Sequence, residues 1–165
     1  MQNYEITITQ SKNHNIMQQN KLKKKKHPFW SFFWLTFLVV SLWYAWYSFY
    51  VPSNEIKWVS NISNQELLAN NSNKNTLVFF TAKWCSPCRI MKREIFADQQ
   101  VEEIVNSKFR AIIIDVDNPE TKDIVNQYNA YATPTTILLD SKGKVIERRV
   151  AKIEKDEFLE MLLNI

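Results

Sequence analysis

No side chain between Pro28 and Asn54 carries a charge. The centre of that stretch, Phe29 to Val51, reads FWSFFWLTFLVVSLWYAWYSFYV. At 1.5 Å of rise per residue, about 20 helical residues cross a hydrocarbon layer of about 30 Å. Residues 28–51 are therefore predicted to form one transmembrane helix, since a buried core helix would be shorter and amphipathic. Aromatics crowd both ends, Trp30 and Trp34 on one side and Trp43, Tyr44, Trp46, Tyr47 and Tyr50 on the other. That placement suits rings seated at two water interfaces. A cleaved export signal is the competing reading. The apolar run is long for one, and Ser48-Phe49-Tyr50 is no small-x-small cleavage site, so an uncleaved anchor is expected.

Past the span the patterning changes to short alternating elements. Residues 52–62 read as a linker with a candidate short strand at Ile56–Val59. Ser63-Asn64-Gln65-Glu66 has capping-box spacing and predicts a helix over about 64–70. Thr76–Thr81 is a β-branched and aromatic run expected as a buried strand. Arg89 to Asn106 carries apolar residues at helical spacing, with a candidate break near Ala97–Gln99. Phe109–Ile114 reads as a second buried strand, and Asn118-Pro119-Glu120 as a helix start leading to Ile124, Val125 and Tyr128. Thr135–Leu139 and Val145–Val150 flank the hairpin signal Asp140-Ser141-Lys142-Gly143. Glu154–Leu163 closes the chain as an amphipathic helix. Helices between early strands imply parallel crossovers, and the late hairpin adds antiparallel strands. The expected class is α/β, a mixed sheet flanked by helices, in a domain covering residues 63–165.

Charge sharpens this division. The net charge is +4 over 165 residues, but residues 1–27 alone hold six lysines against Glu5. The remainder is near neutral, so the excess belongs to a tail beside the span and gives no support to nucleic-acid binding. Six lysines precede the span and only Lys57 follows it closely, which by the positive-inside rule puts residues 1–27 in the cytoplasm and the domain outside. The Lys23–Lys26 cluster suits anionic headgroups. Gly143 is the one glycine, which argues against a glycine-rich phosphate loop.

The candidate chemistry lies in Trp84-Cys85-Ser86-Pro87-Cys88, just after a predicted strand and opening a predicted helix. Two cysteines three apart in a first helical turn are within disulfide reach. The unpaired N–H groups and positive dipole end there stabilise a thiolate, and Lys83 and Arg89 add positive charge. Cys85 reads as an exposed nucleophile and Cys88, further in, as the resolving thiol. Half a zinc site and a purely structural disulfide are the competing readings. The first lacks ligands, because both histidines, His14 and His27, lie before the span. The second would close a very small loop and stabilise little. No metal or cofactor is expected.

WCSPC after LVFFTA, followed by NAYATPTTILLDSKGKVI, resembles the thioredoxin superfamily over about residues 56–165. That resemblance implies a thioredoxin-like fold, a cis bond before Pro134, and a substrate-binding surface of Trp84, Thr133 and Pro134 beside the catalytic Cys85 and Cys88. Phe96-Ala97-Asp98 and Val101 are further similar to the C-terminal domain of bacterial thiol:disulfide interchange reductases. Three positions depart from those patterns. Phe79 stands where thioredoxins place a buried Asp, Lys92 where the interchange domains carry a Glu, and Arg93 where thioredoxins have a helix-kinking proline. The implied activity is a membrane-anchored protein-disulfide reductase without a cofactor, serving disulfide-containing exported proteins and re-reduced by a membrane electron donor. The implied location is the bacterial inner membrane with the domain periplasmic, in cell redox homeostasis. A thiol oxidase and a non-catalytic thioredoxin-fold binding module are the alternatives. The Ser-Pro dipeptide is similar to that of reducing thioredoxins, whose potential is about −270 mV.

Overall fold

The structure is a computed structural model that describes residues 28–60, 62 and 73–165. Its contacts divide the chain into two compact units, Met1–Ser48 and Phe49–Ile165. Helix α1 (Pro28–Phe49), which belongs to the first unit up to Ser48, has 22 residues, a length of about 33 Å. Phe29–Phe49 is long and apolar enough to cross a membrane, by length and composition. Its large side chains, Trp30, Leu38 and Trp43 among them, are exposed.

The second unit is built on a four-stranded mixed sheet. Strand β1 (Asn75–Thr81) leads to α2 (Ser86–Glu94), α3 (Gln99–Lys108) and β2 (Phe109–Asp115). A 3-10 turn (Pro119–Thr121) and α4 (Lys122–Gln127) follow, then β3 (Thr135–Leu139), β4 (Val145–Val150) and α5 (Lys155–Leu163). The strand order is β2-β1-β3-β4. β1 runs parallel to β2, with Thr81 opposite Asp115, and antiparallel to β3, with Phe80 opposite Thr135. This is the expected thioredoxin-like architecture.

Period-two alternation on the central strands divides the core in two. Leu77, Phe79 and Leu138 face Met91, Ile95, Val101, Phe158 and Met161 from α2, α3 and α5. Val78, Phe80, Ile112, Ile114 and Ile137 face Ile124, Val125 and Tyr128 from α4. Burial on both faces explains why β1 reads as a continuous apolar run without alternation. The hairpin uses Gly143 at φ 81°, a value that favours glycine. Asp140 braces it, one carboxylate oxygen accepting from the Lys142 and Lys144 N–H groups at 2.8 Å each.

The break near Ala97–Gln99 is present, with Arg93 at the position where the resemblance implies a kinking proline. The Ile95 and Phe96 N–H groups both donate to the Met91 carbonyl, at 2.9 and 3.0 Å, which ends α2. Asp98 then starts α3 as its N-cap, accepting from the Gln100 and Val101 N–H groups. The short strand expected at Ile56–Val59 shrinks to a single parallel bridge, Val59 with Ile112. The reason is competition for backbone groups. The Glu55 and Lys57 N–H groups donate to side chains of α3, Glu102 Oε1 at 2.7 Å and Asn106 Oδ1 at 2.9 Å. The Trp58 N–H turns back to the Ile56 carbonyl at 2.8 Å. The helix expected over 64–70 lies outside the described residues.

Asp98 also accepts from Lys155 Nζ at 2.6 Å, joining the start of α3 to α5. The Lys155 hydrogen bond, followed by the bonds from Val101 and Gln100, holds the Asp98 carboxyl below the ordinary carboxylate range. Its stabilising contribution is complete above the unfolded-state pKa and is lost as pH falls through the lower folded-state value. Asp98→Ala should cost about 1–2 kcal/mol at neutral pH, the sum of a lost cap and a half-exposed ion pair. Urea unfolding of wild type and variant, followed by circular dichroism, should show that difference shrinking below about pH 4.

Candidate active site at the Cys85 turn

β1 delivers the chain to Thr81, and the cysteine turn begins at once. The Cys85 N–H donates to the Ala82 carbonyl at 3.2 Å. Cys85 is the N-cap of α2, extended at φ −73° and ψ 97°. Its Sγ accepts from the Cys88 N–H at 3.2 Å, so the sulfur satisfies one of the helix's unpaired donors. Pro87 in the first turn lacks an N–H that would need a partner. The Arg89 guanidinium straps the turn from outside, donating to the Lys83 carbonyl at 3.2 Å and to Ser86 Oγ at 2.9 Å.

Cys85 and Cys88 are joined in a disulfide with Cα atoms 5.3 Å apart. The contrast expected between an exposed and a buried sulfur is absent in this state, since Cys85 is 1% exposed and Cys88 0%. The physical reason is closure itself. The Cys85 sulfur is bonded to that of Cys88 and accepts from the Cys88 N–H, leaving Trp84 beside it as the exposed group, at 66%.

Thr133 and Pro134 enter from the neighbouring strand, and the peptide bond between them is cis. The pairing of Phe80 with Thr135 places Pro134 level with Thr81, four residues before Cys85. All five residues expected at the site therefore gather at one end of the sheet, three on the β1–α2 turn and two at the entry to β3. Pro134 is buried and its carbonyl accepts from the Ala151 N–H at 2.9 Å. The Thr133 hydroxyl is buried without a hydrogen-bond partner among the described residues.

The floor of the site is apolar at Phe79, the position where the resemblance implies an acid. Phe79 is fully buried and packs edge-on against Phe96 at 4.8 Å between ring centroids, with Trp58 at 6.3 Å. Lys92 is half-buried on α2. Burial pushes its ammonium below the ordinary lysine value, and the Asp115 carboxylate opposes that shift. Among the described residues no group of three or more His, Cys, Asp or Glu side chains comes together as a metal site.

Two supports of the site went unseen in the sequence. Arg148 on β4 donates to the Tyr128 and Asn129 carbonyls at 2.9 and 2.8 Å, fixing the segment that leads from α4 to Thr133. Asn129, with φ 48°, was the available signal, because asparagine tolerates that region. Ala151 has φ 83°, and nothing in its residue type announces this.

Residues 63–165 match the family model described as a thioredoxin-like domain, and the chain belongs to that family. It is a thioredoxin-fold oxidoreductase carrying a Cys-x-x-Cys disulfide at Cys85 and Cys88. It is 31% identical to a thioredoxin of Mycoplasmoides gallisepticum over 107 residues, 65% of this chain and 99% of that one. It is 25% identical to the thiol:disulfide interchange protein DsbD of Photorhabdus laumondii over 83 residues, half of this chain but 14% of that protein. The solution structure of a thioredoxin from Thermus thermophilus superposes with a TM-score of 0.57 at 24% identity, covering 66% of this chain and 85% of that one, and shares the fold.

Ala151 bears a steric cost of about 1–2 kcal/mol for its left-handed backbone, while glycine would lose more entropy on folding. Ala151→Gly should therefore raise unfolding stability by about 0.5–1 kcal/mol in urea titration. An unchanged or lowered midpoint contradicts the strain assigned to this position.

Proposed function

We propose that this protein is a membrane-anchored reductase of disulfides in exported proteins, working by dithiol exchange through Cys85 and Cys88. The observation that carries the reading is the disulfide seated at the N-cap of α2, where the Cys88 N–H donates to the Cys85 sulfur. In the reduced chain that donor and the positive end of the helix stabilise a Cys85 thiolate. That thiolate attacks one sulfur of a substrate disulfide and forms a mixed disulfide, releasing the other substrate sulfur as a thiolate that takes up a proton. Cys88 then loses its proton and attacks the Cys85 sulfur. The Cys85–Cys88 bond forms, the substrate leaves as a dithiol, and two electrons have passed to it. A dithiol donor in the membrane returns the pair to its reduced form.

Trp84, Thr133 and Pro134 serve as the platform for an extended substrate segment. Trp84 offers an exposed ring, and the entry to β3 lies at the same end of the sheet. The similarity to an interchange protein supports exchange with other disulfide proteins. α1 supports the anchor through its length and its apolar surface, and the lysine excess of residues 1–27 supports a cytoplasmic tail with residues 52–165 in the periplasm of a bacterial inner membrane.

Cys88→Ala removes the resolving thiol and should accumulate mixed disulfides between Cys85 and exported proteins in intact cells, resolved on non-reducing gels and identified by mass spectrometry. The Cys85→Ala chain should capture none. Capture of cytoplasmic proteins contradicts the orientation, and identical partner sets from both variants contradict the exchange chemistry.

A further inference from the structure

Lys92 is a half-buried charge on the cysteine-bearing helix, close in sequence to the buried pair, that the exchange cycle leaves unused. It lies four residues after Cys88 on a continuous helix, about 40° from it around the axis. Positions so spaced have Cβ atoms about 6 Å apart. Helical side chains lean toward the N-terminus, so the Lys92 stem points toward the turn of Cys88 and its disulfide partner. The sheet below offers little to balance a charge. Phe79 is apolar there, and the nearby Thr81 and Thr136 hydroxyls are buried without hydrogen-bond partners among the described residues. The acid that acts on Lys92 is Asp115, which pairs with Thr81 at the C-terminal end of β2. Asp115 Oδ1 accepts from the Asp117 N–H at 3.1 Å.

We propose that Lys92 is a positioning residue that sets the balance of this redox couple: its ammonium, on the cysteine-bearing face of α2, favours the Cys85 thiolate and so favours the dithiol over the disulfide. The inference rests on the exchange chemistry proposed above. Thiolate formation stabilises the reduced pair, so a cation here makes the disulfide easier to reduce. The other charged groups around the turn are Lys83 and Arg89 at the motif and Arg93, paired with Glu94, further along α2. β2 and its following turn supply Asp115 and Asp117. The entry to β3 brings only the phenol of Tyr131, and β4 brings Arg149, opposite Thr136 and bound to Glu147.

The test uses the full chain in detergent, with Lys92→Met, Lys92→Arg and Asp115→Asn beside wild type. Two readings are taken, the equilibrium with reduced and oxidised glutathione and the thiolate absorbance of the reduced pair against pH. Lys92→Met should move the glutathione equilibrium about tenfold toward the protein disulfide, about 30 mV lower in potential, and move the thiolate midpoint up by about one unit. Lys92→Arg should hold both readings near wild type, and Asp115→Asn should move both the opposite way from Lys92→Met. A Lys92→Met chain that matches wild type in both readings overturns the proposal for Lys92 while leaving the exchange chemistry standing. A wild-type pair that does not equilibrate with glutathione overturns both.

Discussion

The Cys85 sulfur stands where a helix would otherwise leave a backbone donor without a partner. That one interaction, Sγ of Cys85 accepting from the N–H of Cys88, links secondary structure to chemistry. A helix needs a cap at its first turn, and here the cap is the atom that can react. The surroundings serve to keep it there. β1 brings the chain to the turn, Pro87 and the Arg89 strap fix its shape, and Met91 and Ile95 anchor α2 against the sheet beneath. A sulfur held against helix N–H groups is better suited to carrying negative charge than one in free solution.

The second constraint is the register between β1 and β3. A two-residue slip would keep the alternation of faces but move Thr133 and Pro134 about 7 Å along the strand, away from the cysteine turn. The register is held by burial on both sheet faces, and by the hairpin that Asp140 and Gly143 fix on the far side of β3. Arg148 and the Ala151 N–H tie β4 to the segment on either side of the cis bond. Stability and site geometry therefore share the same contacts, since the hairpin edge also holds the segment of Thr133 and Pro134.

Much of this was legible in the chain. The helix over Pro28–Phe49 and the strands β1 to β4 follow from unbroken apolar runs and from turn residues of known stereochemistry, and the Cys-x-x-Cys spacing indicated a closed pair. The features that escaped depend on residues distant in sequence. The segment at Ile56–Val59 reads as a strand because its residues favour one. Its backbone is claimed instead by Glu102 and Asn106, 47 and 49 residues away, a competition no local pattern reveals. Burial of Cys85 escapes the sequence for a different reason, since a residue at the edge of a turn is exposed or covered according to its bonding partner. Lys92 looked like a simple departure from a family pattern, and only the packing of α2 on the sheet shows that its charge is partly withheld from water.

The proposed exchange requires Cys85 to be the reactive sulfur of the pair once the disulfide is opened. Limited alkylation of the reduced full-length chain, with substoichiometric iodoacetamide at pH 7 and peptide mapping by mass spectrometry, reads this directly. Modification confined to Cys85, with Cys88 left unmodified until the protein is unfolded, is the expected outcome. Equal labelling of both sulfurs, or faster labelling of Cys88, would contradict it.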